Sequence, residues 1–161
     1  MSARWRDASI GYLVAAWLGG VALFGAVVAP AAFAVLPTRS LAGALVGRVL
    51  PVLFIAGLII GSLVALSARE VAAPSRRAGR LVAGAVLLVA CGIAQFVIGG
   101  RIERVRAEAG VSLDELPHGH PVRVTFGRLQ GLSVAGLALA ALGGVAALVL
   151  LAPAPETRRS P

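Results

Sequence analysis

Charges divide this chain into four long apolar runs. No charged residue occurs from Ala8 to Thr38, from Val49 to Ala68, from Leu81 to Gly100, or from Leu129 to Pro155. Those runs are 31, 20, 20 and 27 residues long. An α-helix rises 1.5 Å per residue, so about 20 residues cross the roughly 30 Å hydrocarbon layer of a bilayer. Each run reaches that length. Strands of a membrane barrel would instead alternate polar and apolar positions over about ten residues. The pattern therefore predicts an all-α, four-helix transmembrane bundle, with the whole chain 1–161 as one integral membrane domain.

Punctuation between the runs sets the expected helix ends. The first helix is expected near 10–36, stopping at Pro37, and the second near 41–66. A polar linker, Ser67 to Gly79, carries Pro74, Arg76 and Arg77 and breaks the chain there. The third span is expected near 80–100, with the helix leaving the membrane at Arg101 and continuing to about Ala109. That extension pairs opposite charges three residues apart, and Gly110 suits its C-terminal stop. The fourth span is expected near 123–152, before a short Pro-rich tail. Arg4, Arg6 and the sequence Ala32-Phe33-Ala34 also suit a cleaved signal peptide. However, the apolar stretch Ile10 to Ala29 exceeds the usual 7–15-residue core of such a peptide, so the segment reads as a retained helix.

Composition agrees with a membrane protein. Hydrophobic residues make up 58% of the chain and charged residues 14%, against about 25% charged in ordinary globular chains. The 20 glycines suit closely packed membrane helices. Small residues four apart, Gly43/Gly47, Gly57/Gly61 and Gly127/Gly131, mark candidate contact faces. The formal charge of +8 does not indicate nucleic acid, because the Arg residues sit at the ends of apolar segments rather than on one stripe. There they anchor helices and meet anionic headgroups. The expected partners are membrane lipids, with a second copy or another membrane protein as further candidates.

Four spans place both termini and the helix 2–3 linker on one side. That side holds eight Arg and the other seven. The excess of one Arg favours cytoplasmic termini in a bacterial inner membrane; Glu103, Glu108, Asp114 and Glu115 lie on the other side, but acids carry little weight in this rule.

Helix alternation brings the polar groups to one half of the membrane. Arg48 opens the core of helix 2, Gln95 lies late in helix 3, and Arg128, Gln130 and Ser133 lie early in helix 4. All lie towards the helix 3–4 loop. Polar groups in lipid usually face the bundle interior. A cavity open towards that loop is therefore the candidate site, and two Arg would suit an anionic ligand. The rival reading has the Arg residues snorkelling to headgroups and Gln95 bonding a neighbouring helix. Pro30 and Pro51 interrupt apolar segments and are candidate kinks. The loop segment from Asp114 to His120 holds His118, His120 and two acids, which could bind a metal or sense pH. His-x-His in a loop is a weak signal, however, and no metal is expected. No His lies in an apolar run, which argues against a haem between two transmembrane His residues. No nucleotide loop, zinc-protease helix or nucleophile elbow occurs. No catalytic residue and no cofactor are expected.

Four stretches carry a resemblance. They are Gly25-Ala26-Val27-Val28-Ala29-Pro30-Ala31-Ala32-Phe33, Ala42 to Pro51, Ile102 to Arg106, and Phe126-Gly127-Arg128-Leu129-Gln130-Gly131-Leu132-Ser133. In order and content the chain resembles bacterial relatives of transmembrane protein 205, the family known as domain of unknown function 4149. The resemblance implies a four-helix membrane protein without an assigned reaction. The last stretch is similar to that family's Phe-x-x-Leu-His-Gly-x-Ser, with Gln130 where the family has His. The expectation is a non-enzymatic accessory or small transport component. The alternatives are a small-solute or metal transporter or resistance protein using the polar cavity, and a membrane oxidoreductase with a lipid-soluble cofactor.

Overall fold

The computed structural model describes residues 3–109, 117 and 120–152. Among the described residues there are helices and no strands. Helix α1 covers 3–35 as Ala3–Leu23, a π turn Phe24–Val28, and Ala29–Val35. Helix α2 is Arg39–Ser67, followed by a 3₁₀ turn Ala68–Glu70. Helix α3 covers 74–109 as Pro74–Gly92, a π turn Ile93–Ile98, and Gly99–Ala109. Helix α4 is Pro121–Leu151. All four are long and apolar enough to span a membrane. This is a multi-pass membrane bundle.

Several helices begin earlier than the charge pattern indicates. Helix α1 starts at Ala3 rather than near Ile10, and α3 at Pro74 rather than near Arg80. The charge pattern marks where a helix enters lipid, whereas backbone caps mark where it begins. Pro74 and Pro121 take first-turn positions, where the missing N–H is no loss. Thr38 caps α2, its Oγ1 accepting from the Leu41 N–H at 3.2 Å. His120 caps α4, its Nδ1 accepting from the Val122 N–H at 3.4 Å. The expected stop at Gly110, His118 and the Pro-rich tail lie outside the described residues.

The helices form a ring in which α2 packs chiefly on α3, α3 on α4, and α1 on both α4 and α2. Glycine permits the tightest crossing. A Cβ on Gly84 would lie 2.8 Å from the Ala65 nitrogen and the Gly61 oxygen, so the α2 and α3 backbones touch there. Trp17 fills the centre. Its ring borders Gly57 and Gly144, and its Nε1–H donates to the Leu53 carbonyl at 2.8 Å. The pairs Gly57/Gly61 and Gly127/Gly131 look alike in sequence. The first lies in the core, while a Cβ on Gly127 or Gly131 would meet nothing within 4 Å. Large apolar side chains such as Val35, Ile59, Phe96, Leu142 and Val149 point outwards on all four helices. Lipid is the solvent that makes such a surface favourable.

Candidate functional site

A polar cavity of about 220 Å³ lies between α2, α3 and α4, on the side of the helix 3–4 loop. Helix α2 contributes Gly47, Leu50, Pro51 and Phe54. Helix α3 contributes Gln95, Gly99, Gly100 and Glu103, and α4 contributes Gln130 and Ser133. Two backbone irregularities border it. Pro51 lacks the N–H that would bond the Gly47 carbonyl within α2. Within α3 the Gly99 N–H bonds the Ala94 carbonyl, five residues back, which is the π-turn pattern. In a membrane, departures from the regular helix are tolerated where they are buried in protein or line a cavity. Amide groups, a hydroxyl and a carboxylate thus meet on otherwise apolar walls.

Of the residues expected at this site, Gln95, Gln130 and Ser133 come together. Arg48 and Arg128 are exposed and do not line the cavity. Helical geometry is the reason. Neighbours on a helix are about 100° apart, so Gly47 faces the cavity and Arg48 turns away. Arg128 and Gln130, two apart, point to nearly opposite faces, whereas Gln130 and Ser133, three apart, share one. Pro51 lines the cavity; Pro30 is exposed and follows the π turn of α1. Glu103 was not expected here. Its spacing of four from Gly99, itself four beyond Gln95, was the available signal. His120 is engaged as the α4 cap. Among the described residues no group of three or more His, Cys, Asp or Glu gathers for a metal.

The profile of the family described as a domain of unknown function (DUF4149) matches residues 12–110, more than half of the chain. This chain belongs to the DUF4149 family. The match runs from α1 through the end of α3 and includes Pro51, Gln95 and Glu103 of the cavity lining. Helix α4, with Gln130 and Ser133, lies beyond it. No curated protein and no solved structure matches the chain.

At the opposite membrane boundary this DUF4149 protein has a second polar cluster. Arg80, 4% exposed, donates from Nη2 to Asp7 Oδ2 at 2.7 Å and to the Leu150 carbonyl at 3.3 Å. Arg6 pairs with Glu70 and lies 3.7 Å from Asp7. The cluster joins the start of α1, the end of α2, the first turns of α3 and the end of α4. The Leu150 carbonyl is among the last four of α4, which have no partner within their own helix. Arg80 marks the start of an apolar run, and its partners are 73 and 70 residues away. Local sequence carries no sign of such a pairing.

Proposed function

We propose that this DUF4149 protein is a non-enzymatic transport component of a bacterial inner membrane, similar to transmembrane protein 205, with both termini cytoplasmic. It takes a small, uncharged or cationic hydrogen-bonding solute into the cavity between α2, α3 and α4. The observation that carries this reading is the convergence of Gln95, Gln130 and Ser133, from two helices, on one small cavity. With Arg48 and Arg128 turned outwards, the described residues lining the cavity include no cation to hold an anion. Amides and a hydroxyl both donate and accept, so they replace part of a solute's hydration shell. The Gly47 carbonyl, released by Pro51, adds an acceptor.

Proteoliposome swelling tests the proposal directly. Vesicles containing the full chain are mixed with glycerol, urea or methylammonium, and light scattering reports entry. At least one solute is expected to enter faster than into protein-free vesicles, with Gln95→Leu and Gln130→Leu slowing it while helical content stays constant. Entry no faster than into protein-free vesicles for all three, with folded protein, overturns the reading.

A further inference from the structure

The polar cavity has an apolar counterpart on the α3–α4 surface. This groove encloses about 610 Å³ and has only apolar residues in its lining, sharing just Ala94 with the polar cavity. Small residues form its floor: a Cβ on Gly136 would meet the Ala94 Cβ at 3.3 Å, so the two helices are in contact there. Ile93, Leu132 and Leu139 project beyond the floor and are exposed.

The register of the two helices fixes what stands at the groove's end. They are antiparallel, with Gly136 against Ala94 and Gly143 against Val86. Continuing that register outwards brings Leu132 level with Ile98, the last groove residues on each helix towards the loop. One turn further, Arg128 comes level with Arg101. Arg101 is three residues beyond Ile98 and Arg128 four before Leu132, so each follows the face of its helix that lines the groove. Both Arg residues are exposed.

We infer that this groove binds one acyl chain of an anionic phospholipid, with the lipid phosphate held between Arg101 and Arg128. Charge and depth both select this occupant. Guanidinium groups recognise phosphate by paired, charge-assisted hydrogen bonds, and Arg near a membrane surface attracts anionic headgroups. The α3 wall runs from Ile98 to Val82, 16 residues or about 24 Å, whereas the α4 wall runs only from Leu132 to Leu139, seven residues or about 10 Å. The two-sided part is thus less than one leaflet of the roughly 30 Å hydrocarbon layer. A transmembrane helix of another copy would cross both leaflets and find a two-sided groove in only one. An acyl chain needs one leaflet only, and its headgroup then falls at the two Arg residues.

Native mass spectrometry of the detergent-purified full chain tests this, titrated with phosphatidylglycerol or phosphatidylcholine. The wild type is expected to retain phosphatidylglycerol in preference to phosphatidylcholine. Arg101→Gln with Arg128→Gln should lower that preference, roughly fivefold per guanidinium removed. Ala135→Trp, which fills the groove from an exposed position, should reduce retention of both lipids. Circular dichroism confirms that each variant is folded; both alter exposed positions. Equal retention of the two lipids by the wild type overturns the inference, as does a preference that survives loss of both Arg residues. A dimer that Ala135→Trp dissociates, without lipid preference, also overturns it and assigns the groove to a second copy.

Discussion

Arg80 Nη2 lies 2.7 Å from Asp7 Oδ2, tying the third helix to the N-terminal turns of the first at the membrane boundary. Removing one partner of a buried pair costs far more than the pair contributes, because the remaining charge stays desolvated. Asp7 is partly exposed and Arg80 keeps the Leu150 carbonyl, so Asp7→Ala is expected to destabilise the bundle by about 1–3 kcal/mol. Arg80→Leu with Asp7→Ala should recover part of that loss, since no buried charge remains. Thermal unfolding of the four proteins in one detergent measures the coupling. Additive effects of the two changes would show that the pair is not the source.

The contact of α2 with α3 at Gly61 and Gly84 leaves no room for a side chain. A Cβ on Gly84 meets backbone atoms at 2.8 Å, and backbone cannot swing aside. Gly84→Ala should cost about 1–3 kcal/mol through overpacking. Gly131→Ala, where a Cβ meets nothing within 4 Å, should leave the melting temperature unchanged. Equal melting temperatures for the two variants would contradict the close crossing.

Trp17 joins α1 to α2 through one hydrogen bond, Nε1–H to the Leu53 carbonyl. Trp17→Phe removes the donor while keeping an aromatic ring, and should cost about 1 kcal/mol. Trp17→Ala also opens a cavity at the centre of the bundle and should cost about 3–5 kcal/mol. Chemical denaturation in mixed micelles separates the two.

Cys91 is buried, and it is the single cysteine of the chain. A membrane-impermeant maleimide should leave it unmodified in the folded protein. Arg128→Cys adds an exposed thiol near the helix 3–4 loop. With cytoplasmic termini, this thiol should react in intact cells as it does in lysed ones. Labelling only after lysis would reverse the proposed orientation.

Much of the fold was legible because lipid imposes one constraint on every span. Four uncharged runs long enough to cross a bilayer, without the alternation of barrel strands, read as helices, which satisfy their backbone groups within each segment. Alternating helix direction places Gln95, Gln130 and Ser133 in the same half of the membrane whatever the packing. Depth is readable from position along the chain. Facing is not, and Arg48 and Arg128 differ from their cavity-lining neighbours only by rotation about the helix axis.

The lengths of the uncharged runs set the solvent, the number of crossings and the depth of each polar group. Tertiary structure alone decided which face of each helix turns inwards, which glycine pair becomes a backbone contact, and that Arg80 finds Asp7. Around α1, α2 and α4 the hydrophobic pattern is nearly flat and lipid favours no face over another, whereas the first part of α3, Pro74–Gly92, carries a distinct polar face. Rotation is then set by shape and by a few long-range polar pairings, such as Trp17 with Leu53 and Arg80 with Asp7. Those are properties of the assembled bundle, and no single segment contains them.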